Sequence, residues 1–186
     1  MSNKNRIRKR LHELKDEDMP EDQWVDYMDD VASALGWFIV SFNDLDFEIT
    51  ATICELAALG TKQNTDVTFT LISTKHFAQK VKDLEMLFSL IVKNKKNEPE
   101  LRKKFDMLIA DINHLNKERN ALVHANWYIT EQEGNDTLVN SKTSIDKVGF
   151  YHEYFKCSPD YIEELEDKCD SIGKEVEKLV EELKKP

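Results

Sequence analysis

Apolar residues recur at alternating gaps of four and three from residue 24 to residue 59, and this spacing constrains the fold more than any other feature. With Thr52 as the one polar member, the positions are Trp24, Met28, Val31, Leu35, Phe38, Phe42, Leu45, Ile49, Thr52, Leu56 and Leu59. They predict one amphipathic helix of about 36 residues, roughly 54 Å long at 1.5 Å per residue. Asp22 is its predicted N-cap and Gly60 its predicted C′ residue. A stripe this long fits an intrachain core, a dimer seam, or both.

Three later segments have the same helical spacing, and one segment is typical of strands. Helices are predicted over about 74–93, from near Pro99 to near His124, and over about 160–184. Trp127–Thr130 and Thr137–Val139 flank the turn sequence Glu-Gly-Asn-Asp and predict a β-hairpin over about 127–143. The predicted fold class is therefore mainly α, a bundle of four to five helices with a small β-hairpin insertion before the last helix.

Length and charge indicate the domain organisation. The 186 residues suit a single domain over 21–186, preceded over 1–20 by a basic N-terminal arm or short helix. Lys and Arg number 26 against 36 Asp and Glu, a net charge of −10, which argues against non-specific nucleic-acid binding. Residues 73–124 carry eleven bases and seven acids, however, so this block is basic within an acidic chain.

Composition argues against several function classes. No apolar run approaches the ~18 residues that span a bilayer, so no membrane partner is expected. The three cysteines form no CxxC pair, and the five histidines have no Cys or His at ligand spacing, so neither a metal nor a cofactor is expected. A reduced, cytoplasmic setting is the default expectation for such a chain.

A polar cluster interrupts the third of the predicted helices near its end. On a helical projection Arg119 lies within the apolar stripe, where a guanidinium is costly unless it is paired or faces a wet cleft. Asn116, Asn120 and His124 recur every four residues along the edge of that stripe. The cluster is either a functional site or a structural ion pair beside a surface histidine that the helix dipole favours.

The long first helix offers a carboxylate to this cluster. Asp46 is the lone charge in a row of residues that flanks the main apolar stripe, and Asn43 lies three residues before it. Asp46 is therefore the predicted partner of Arg119, the alternative being that it faces solvent at the edge of the stripe.

The segment Glu118-Arg119-Asn120-Ala121-Leu122-Val123-His124 resembles the R-x4–6-H motif of the HEPN superfamily (higher eukaryotes and prokaryotes nucleotide-binding). Its Arg-Asn-x3-His form is common among the ribonucleases of that family. The segments Phe42–Asp46 and His76–Val81 resemble the first and second helices of the family. The resemblance covers roughly residues 22–130, and the hairpin and last helix are similar to those of small bacterial members. It implies a homodimer in which the motifs of both subunits line one cleft.

Active members of that family cleave RNA without a metal ion. The resemblance therefore implies that His124 acts as general base or general acid, and that Arg119 holds the scissile phosphate while the 2′-OH attacks it. It implies that Asn120 orients His124 or a phosphate oxygen, with Asp46, Asn43 and Asn116 as supporting residues. The expected function is an endoribonuclease of the toxin or antiviral, abortive-infection type. RNA is its expected substrate, and an antitoxin or an effector complex is a candidate further partner.

A second interpretation uses the same cleft without catalysis. In it the chain is a non-catalytic HEPN-like dimer that binds RNA, a nucleotide or a protein partner, which the acidic total charge favours. In a third, Arg119 only stabilises the dimer. The presence of both Arg119 and His124 favours the nuclease, because a scaffold has no need of a histidine there.

Overall fold

The computed structural model describes residues 6–9, 21–59, 65–93, 95–124, 126–132, 136–146 and 149–185. Side chains are described over 25–59, 65–93, 95–124 and 157–185. The predicted C′ residue Gly60, the turn of the predicted hairpin over 133–135 and most of the predicted N-terminal arm (1–5 and 10–20) lie outside the described residues.

Helices account for most of the described chain, so the prediction of a mainly helical bundle is confirmed. They are α1 (Glu21–Ala58), α2 (Thr65–Ser73), α3 (Phe77–Val92), α4 (Glu98–Val123) and α5 (Pro159–Lys184). The 38 residues of α1 agree with the predicted length. Its four-and-three spacing corresponds to its buried face, where Phe38, Leu45 and Ile49 are almost fully enclosed. Among the described residues, no helix has both the length and the apolar character of a membrane span.

α2 is the helix that the sequence pattern does not predict. Its nine residues, Thr-Asp-Val-Thr-Phe-Thr-Leu-Ile-Ser, include β-branched side chains that disfavour an isolated helix. Packing compensates for this weak propensity, since Ile72 is buried and Phe69 lies against Phe47 of α1 with ring centroids 5.5 Å apart. A short helix of this composition therefore depends on its tertiary contacts.

The strands form one antiparallel sheet. They are β1 (Arg6–Lys9), β2 (Asn126–Gln132), β3 (Asp136–Asp146) and β4 (Gly149–Cys157), in the order β1-β4-β3-β2. The predicted hairpin region falls on β2 and β3, and the sheet contains two strands beyond that region. The register shifts between Asn126 and Thr130 and between Asn140 and Lys142, as β-bulges do. Strands β2, β3 and β4 connect the end of α4 to the start of α5.

Part of the N-terminal segment is a strand. The sequence predicts a basic arm or a short helix over 1–20, whereas Arg6–Lys9 pairs antiparallel with β4, from Arg6 opposite Phe155 to Lys9 opposite His152. The physical reason is that β4 offers unpaired backbone N–H and C=O groups to any strand beside it. A local sequence pattern does not contain that information.

The chain forms two compact units. The sheet unit comprises residues 1–38 and 118–165, and the helical unit comprises residues 39–117 and 166–186. In the helical unit Phe88 and Phe105 stack with nearly parallel rings whose centroids are 3.8 Å apart. Enclosing one such aromatic side chain stabilises a fold by about 1.5–3 kcal/mol. The Phe88–Phe105 stack therefore joins α3 to α4 within the core of the helical unit.

Candidate functional site

The last turn of α4 brings together three of the predicted site residues, all in the sheet unit. Nη1 of Arg119 donates a hydrogen bond to Oδ1 of Asn120 at 2.9 Å. The backbone N–H of His124 donates a hydrogen bond to the Asn120 carbonyl at 3.2 Å. His124 follows the end of α4 and is exposed, whereas Arg119 is half-buried. Asn120 therefore contacts the Arg119 side chain and, through its carbonyl, the backbone of His124.

The enclosed charge at this turn belongs to Glu118, which is 6% exposed, and not to Arg119. The buried leucines of α4 follow a seven-residue repeat: Leu101, Leu108, Leu115 and Leu122. Such a repeat drifts about 20° per heptad around a straight helix. By the last turn the buried face has therefore rotated toward Glu118, and Arg119 lies at its edge.

The first turn of α5 anchors Glu118. Oη of Tyr161 donates a hydrogen bond to Oε2 of Glu118 at 3.3 Å. Oγ of Ser158 accepts a hydrogen bond from the Tyr161 backbone N–H at 3.2 Å and so caps this helix. Burial, and then the negative charge of Glu118, raise the pKa of the Tyr161 phenol well above its usual value. The Glu118–Tyr161 pair thus ties the turn that carries the motif to the junction between β4 and α5.

The same junction contains a buried thiol. Cys157 is 2% exposed, and burial followed by the negative charge of Glu118 raises the pKa of its thiol to about 12. Oη of Tyr27 in α1 donates a hydrogen bond to the Cys157 carbonyl at 3.2 Å. A thiol with this pKa remains protonated at neutral pH and is a poor nucleophile. Cys157 is therefore a structural residue of the junction.

Asp46 has a different partner from the one predicted. Both oxygens of its carboxylate accept hydrogen bonds from Nζ of Lys80 in α3, at 2.9 and 2.7 Å. The Lys80 side chain is 4% exposed, whereas Asp46 is 32% exposed. An enclosed ammonium group requires a counter-charge more strongly than the half-buried guanidinium of Arg119 does. This difference in burial is the physical reason that Asp46 pairs with Lys80.

The two supporting asparagines lie in the helical unit together with Asp46. Asn43 is exposed on α1, and Asn116 is half-buried on α4. The motif segment over 119–124 belongs to the sheet unit. The structure therefore brings together Arg119, Asn120 and His124, and it assigns the three supporting residues to the helical unit.

Three residues that make the contacts described above, Lys80, Glu118 and Tyr161, are not predicted as site residues from the sequence. Lys80 has the pattern of a surface lysine, because a charge beside an apolar stripe is usually solvated. Glu118 directly precedes Arg119, but its burial depends on the slow drift of the apolar stripe around α4. Tyr161 has no local signal beyond its place in the first turn of α5. The adjacency of Glu118 to the motif was the one available indication.

The motif turn combines two side chains with complementary chemistry. Histidine is the side chain that exchanges protons most readily near neutral pH, and arginine binds phosphate oxygens through two parallel hydrogen bonds. Among the residues whose side chains are described, no group of three or more His, Cys, Asp or Glu is placed to hold a metal ion. The turn at 119–124 is therefore suited to binding an anion and transferring a proton.

Comparison with protein-family models, with curated proteins and with solved structures finds no match for this chain. The fold and the site define a mainly helical protein with an Arg-Asn-x3-His turn between its fourth helix and a sheet. The resemblance to the HEPN superfamily is confined to sequence segments 42–46, 76–81 and 118–124.

Proposed function

We propose that this chain is a metal-independent endoribonuclease of the HEPN type, with the four to five helices and the β-hairpin of that fold. The observation that carries the proposal is the end of α4, where the Asn120 side chain accepts a hydrogen bond from Arg119 and the Asn120 carbonyl holds the backbone of the exposed His124. A phosphate-binding cation and an exposed proton-transfer group then lie within five residues of each other. Cleavage of a phosphodiester requires both functions.

RNA supplies its own nucleophile, so the protein has to position the phosphate and move two protons. In the proposed reaction one His124 accepts the 2′-OH proton as the 2′-oxygen bonds to phosphorus. The bond between phosphorus and the 5′-oxygen breaks, and that oxygen takes a proton from the second His124 of a homodimer. Arg119 binds the phosphate oxygens on which negative charge accumulates. The products are a 2′,3′-cyclic phosphate end and a 5′-OH end.

The other parts of the proposal concern setting and partners. The substrate is a chosen RNA site in the cytoplasm, and the protein acts as a toxin or an antiviral effector that an antitoxin or effector complex controls. The net charge of −10 supports a restricted substrate, because an acidic protein does not coat RNA non-specifically.

A second candidate function is favoured by the same acidity. In this candidate the chain is a non-catalytic HEPN-like dimer that binds RNA, a nucleotide or a protein partner. Such a protein does not have to attract long RNA molecules electrostatically, so a net charge of −10 is compatible with it. In that case Arg119 contributes to ligand binding and the exposed His124 is dispensable. The two candidates therefore differ in what removal of His124 does.

Mapping of RNA ends tests the nuclease directly. Wild type, Arg119→Ala and His124→Ala are expressed in cells, and new 5′-OH ends are sequenced. The purified proteins are then incubated with a mapped RNA in the presence of a chelator, next to the same RNA with a 2′-deoxy substitution at the cut site. Loss of a general acid–base group lowers the cleavage rate by about 10²–10⁴-fold, which is the expected effect of His124→Ala. The deoxy substrate is expected to resist cleavage.

Matched variants on the same helix serve as controls. His114→Ala removes a histidine of α4 outside the motif, and Arg102→Ala removes an arginine that pairs with Glu98. Both are expected to retain cleavage. If wild type yields no new 5′-OH ends, or if His124→Ala cleaves as well as His114→Ala, the nuclease proposal is wrong. RNA binding without cleavage by wild type and by His124→Ala, with weaker binding by Arg119→Ala, supports the second candidate.

A further inference from the structure

The helical unit has an open cleft between the C-terminal part of α1 and the short helix α2. Its volume is about 510 Å³, and its lining residues are Ala51, Cys54, Glu55, Ala58, Leu59, Thr65, Asp66 and Phe69. The floor is apolar, and two carboxylates, Glu55 and Asp66, belong to exposed residues of the lining. This combination suits a ligand that has both apolar and cationic groups.

Apolar surface continues from the cleft along the outer face of α1. Phe47 is 61% exposed, and its ring contacts the Phe69 ring of the cleft edge-on at a centroid distance of 5.5 Å. Val40, two turns earlier, is 48% exposed. Positions 40, 47 and 51 recur on one face of a helix, so this surface extends about 16 Å from residue 40 to residue 51. A strip of that length exceeds a small ligand and fits a peptide segment.

Acidic side chains predominate around this strip among the described residues. Neither α1 nor α2 contains a single Lys, Arg or His over its whole length. Asp44 and Glu48 lie beside the strip on α1, and burial, Glu177, Asp170 and Asp44 together raise the pKa of Glu48. Among the described side chains, Lys184 of α5 brings a positive charge to the lining of the cleft. Its Nζ lies 2.5 Å from Oε1 of Glu55. The surface is therefore apolar along its middle and acidic at its sides.

We propose that the cleft between α1 and α2, together with Val40 and Phe47, is a docking surface for a basic amphipathic segment of a partner protein. Apolar side chains of the segment enter the cleft and cover Phe47, and its Lys or Arg side chains pair with Asp66, Glu48 and Asp44. The proposal does not depend on the proposed ribonuclease activity, because none of these residues belongs to the motif.

Charge complementarity is the reason to choose this occupant. Two copies of the chain that met through this face would bring the acidic sides of both α1 helices together. Like charges across an interface oppose association. An uncharged apolar partner would remove water from Asp44 and Glu48 without supplying a counter-charge, which is costly. A basic segment satisfies both the apolar strip and the acids beside it.

Binding of a synthetic probe tests the proposal on the intact chain. The probe is a labelled peptide of about 15 residues in which Leu and Lys alternate with helical periodicity, and the comparison peptide has Glu in place of Lys. Fluorescence anisotropy at about 150 mM salt measures affinity, because non-specific attraction to an acidic protein is screened there. Saturable binding of the Lys peptide and no binding of the Glu peptide are expected. Absence of saturable binding by the Lys peptide overturns the proposal.

Paired variants locate the binding. The cleft pair Glu48→Gln with Asp66→Asn, and separately Phe47→Ser, are each expected to weaken binding about tenfold. The control, Asp106→Asn with Asp111→Asn, makes the same change in net charge on exposed residues of α4 and is expected to change affinity less than about twofold. Equal loss of affinity in the cleft pair and the control pair means general electrostatic attraction and contradicts the proposal.

Hydrogen exchange of the wild type locates the bound peptide without any substitution, so the result does not depend on whether a variant folds. The Lys peptide is expected to slow amide exchange in Thr65–Ser73 and in the C-terminal part of α1. Protection confined to other segments overturns the proposal. The proposal is also overturned if Phe47→Ser abolishes self-association of the chain and leaves its affinity for the Lys peptide unchanged. The α1 surface at Phe47 is then an interface between two copies of the chain.

Discussion

The ammonium group of Lys80 lies 2.9 and 2.7 Å from the two carboxylate oxygens of Asp46, and the two side chains differ strongly in exposure. Lys80 is 4% exposed and Asp46 is 32% exposed. The pair joins α3 to α1 within the helical unit. Because the lysine is enclosed and the aspartate is partly hydrated, removal of one partner has a different consequence from removal of the other.

Asp46→Asn is expected to lower the free energy of unfolding by about 2–3 kcal/mol, because it leaves an enclosed ammonium group without a counter-charge. Lys80→Met is expected to lower it by less than about 1 kcal/mol, because methionine fills similar space and water reaches the remaining carboxylate. Urea unfolding followed by circular dichroism at pH 7 measures both values. Lys82→Met, an exposed substitution on α3, is the control. Equal destabilisation by Asp46→Asn and Lys80→Met contradicts the assignment.

Glu48→Gln is expected to stabilise the protein at neutral pH by less than about 1 kcal/mol, since this side chain is exposed and its interactions are screened. Burial, Glu177, Asp170 and Asp44 raise the pKa of the Glu48 carboxyl in the folded state, so folding disfavours its ionised form. Folding therefore favours the protonated carboxyl. The corresponding contribution to the free energy of unfolding is complete below the pKa of Glu48 in the unfolded chain, and it is lost as pH rises through the pKa of Glu48 in the folded protein.

The difference between wild type and Glu48→Gln is therefore expected to be largest at pH 7 and to shrink as pH falls toward about 4.3. Thermal unfolding from pH 4 to pH 8 measures it. Glu175→Gln, an exposed substitution on α5, supplies the control for loss of one negative charge. A difference that grows as the solution is acidified is incompatible with the raised pKa.

Tyr161→Phe is expected to lower the free energy of unfolding by about 1 kcal/mol, because Glu118 is 6% exposed and loses a hydrogen-bond donor. Burial and Glu118 raise the pKa of the Tyr161 phenol, so folding favours its neutral form. That contribution is full below the unfolded pKa of about 10 and is lost as pH rises through the folded pKa. The cost of Tyr161→Phe is therefore expected to be constant from pH 6 to about pH 9.

A double-mutant cycle with Glu118→Gln tests whether the two side chains act as a pair. Their coupling energy is expected to be about 1 kcal/mol, as for a buried hydrogen bond. Tyr27→Phe removes a different, half-buried hydroxyl that donates to the Cys157 carbonyl, and its effect is expected to add independently to that of Glu118→Gln. A coupling energy near zero for the Glu118–Tyr161 cycle refutes the pairing.

Cys157 and Cys169 are expected to resist thiol reagents in the folded protein. Both are buried, and burial raises the pKa of each thiol to about 12. At pH 8 only about one thiol in 10⁴ with such a pKa is ionised, and the thiolate is the reactive form. Labelling with a chromogenic disulfide is expected to be slow at these two thiols in buffer and complete for all three cysteines in denaturant. Rapid reaction of Cys157 or Cys169 in buffer contradicts this prediction.

The long helix α1 is predictable because its signal is local and repeated. Each member of the stripe from Val31 to Leu56, Thr52 included, follows its predecessor by three or four positions, and burial of that one stripe selects the helix whatever packs against it. The starts of α4 and α5 are likewise predictable, since Pro99 and Pro159 fit first turns. The same local information places Arg119 and His124 at the end of α4.

The sequence by itself therefore determined the helical class, the positions of the long helices and the place of the motif. Tertiary structure decided which charges pair and which are enclosed: Asp46 binds Lys80, Glu118 is buried in place of Arg119, and Arg6–Lys9 joins β4 as a strand. Helical periodicity is fixed by neighbours within a few residues. Partner choice depends on the relative burial of groups far apart in the chain, such as Asp46 and Lys80, and no local pattern contains it.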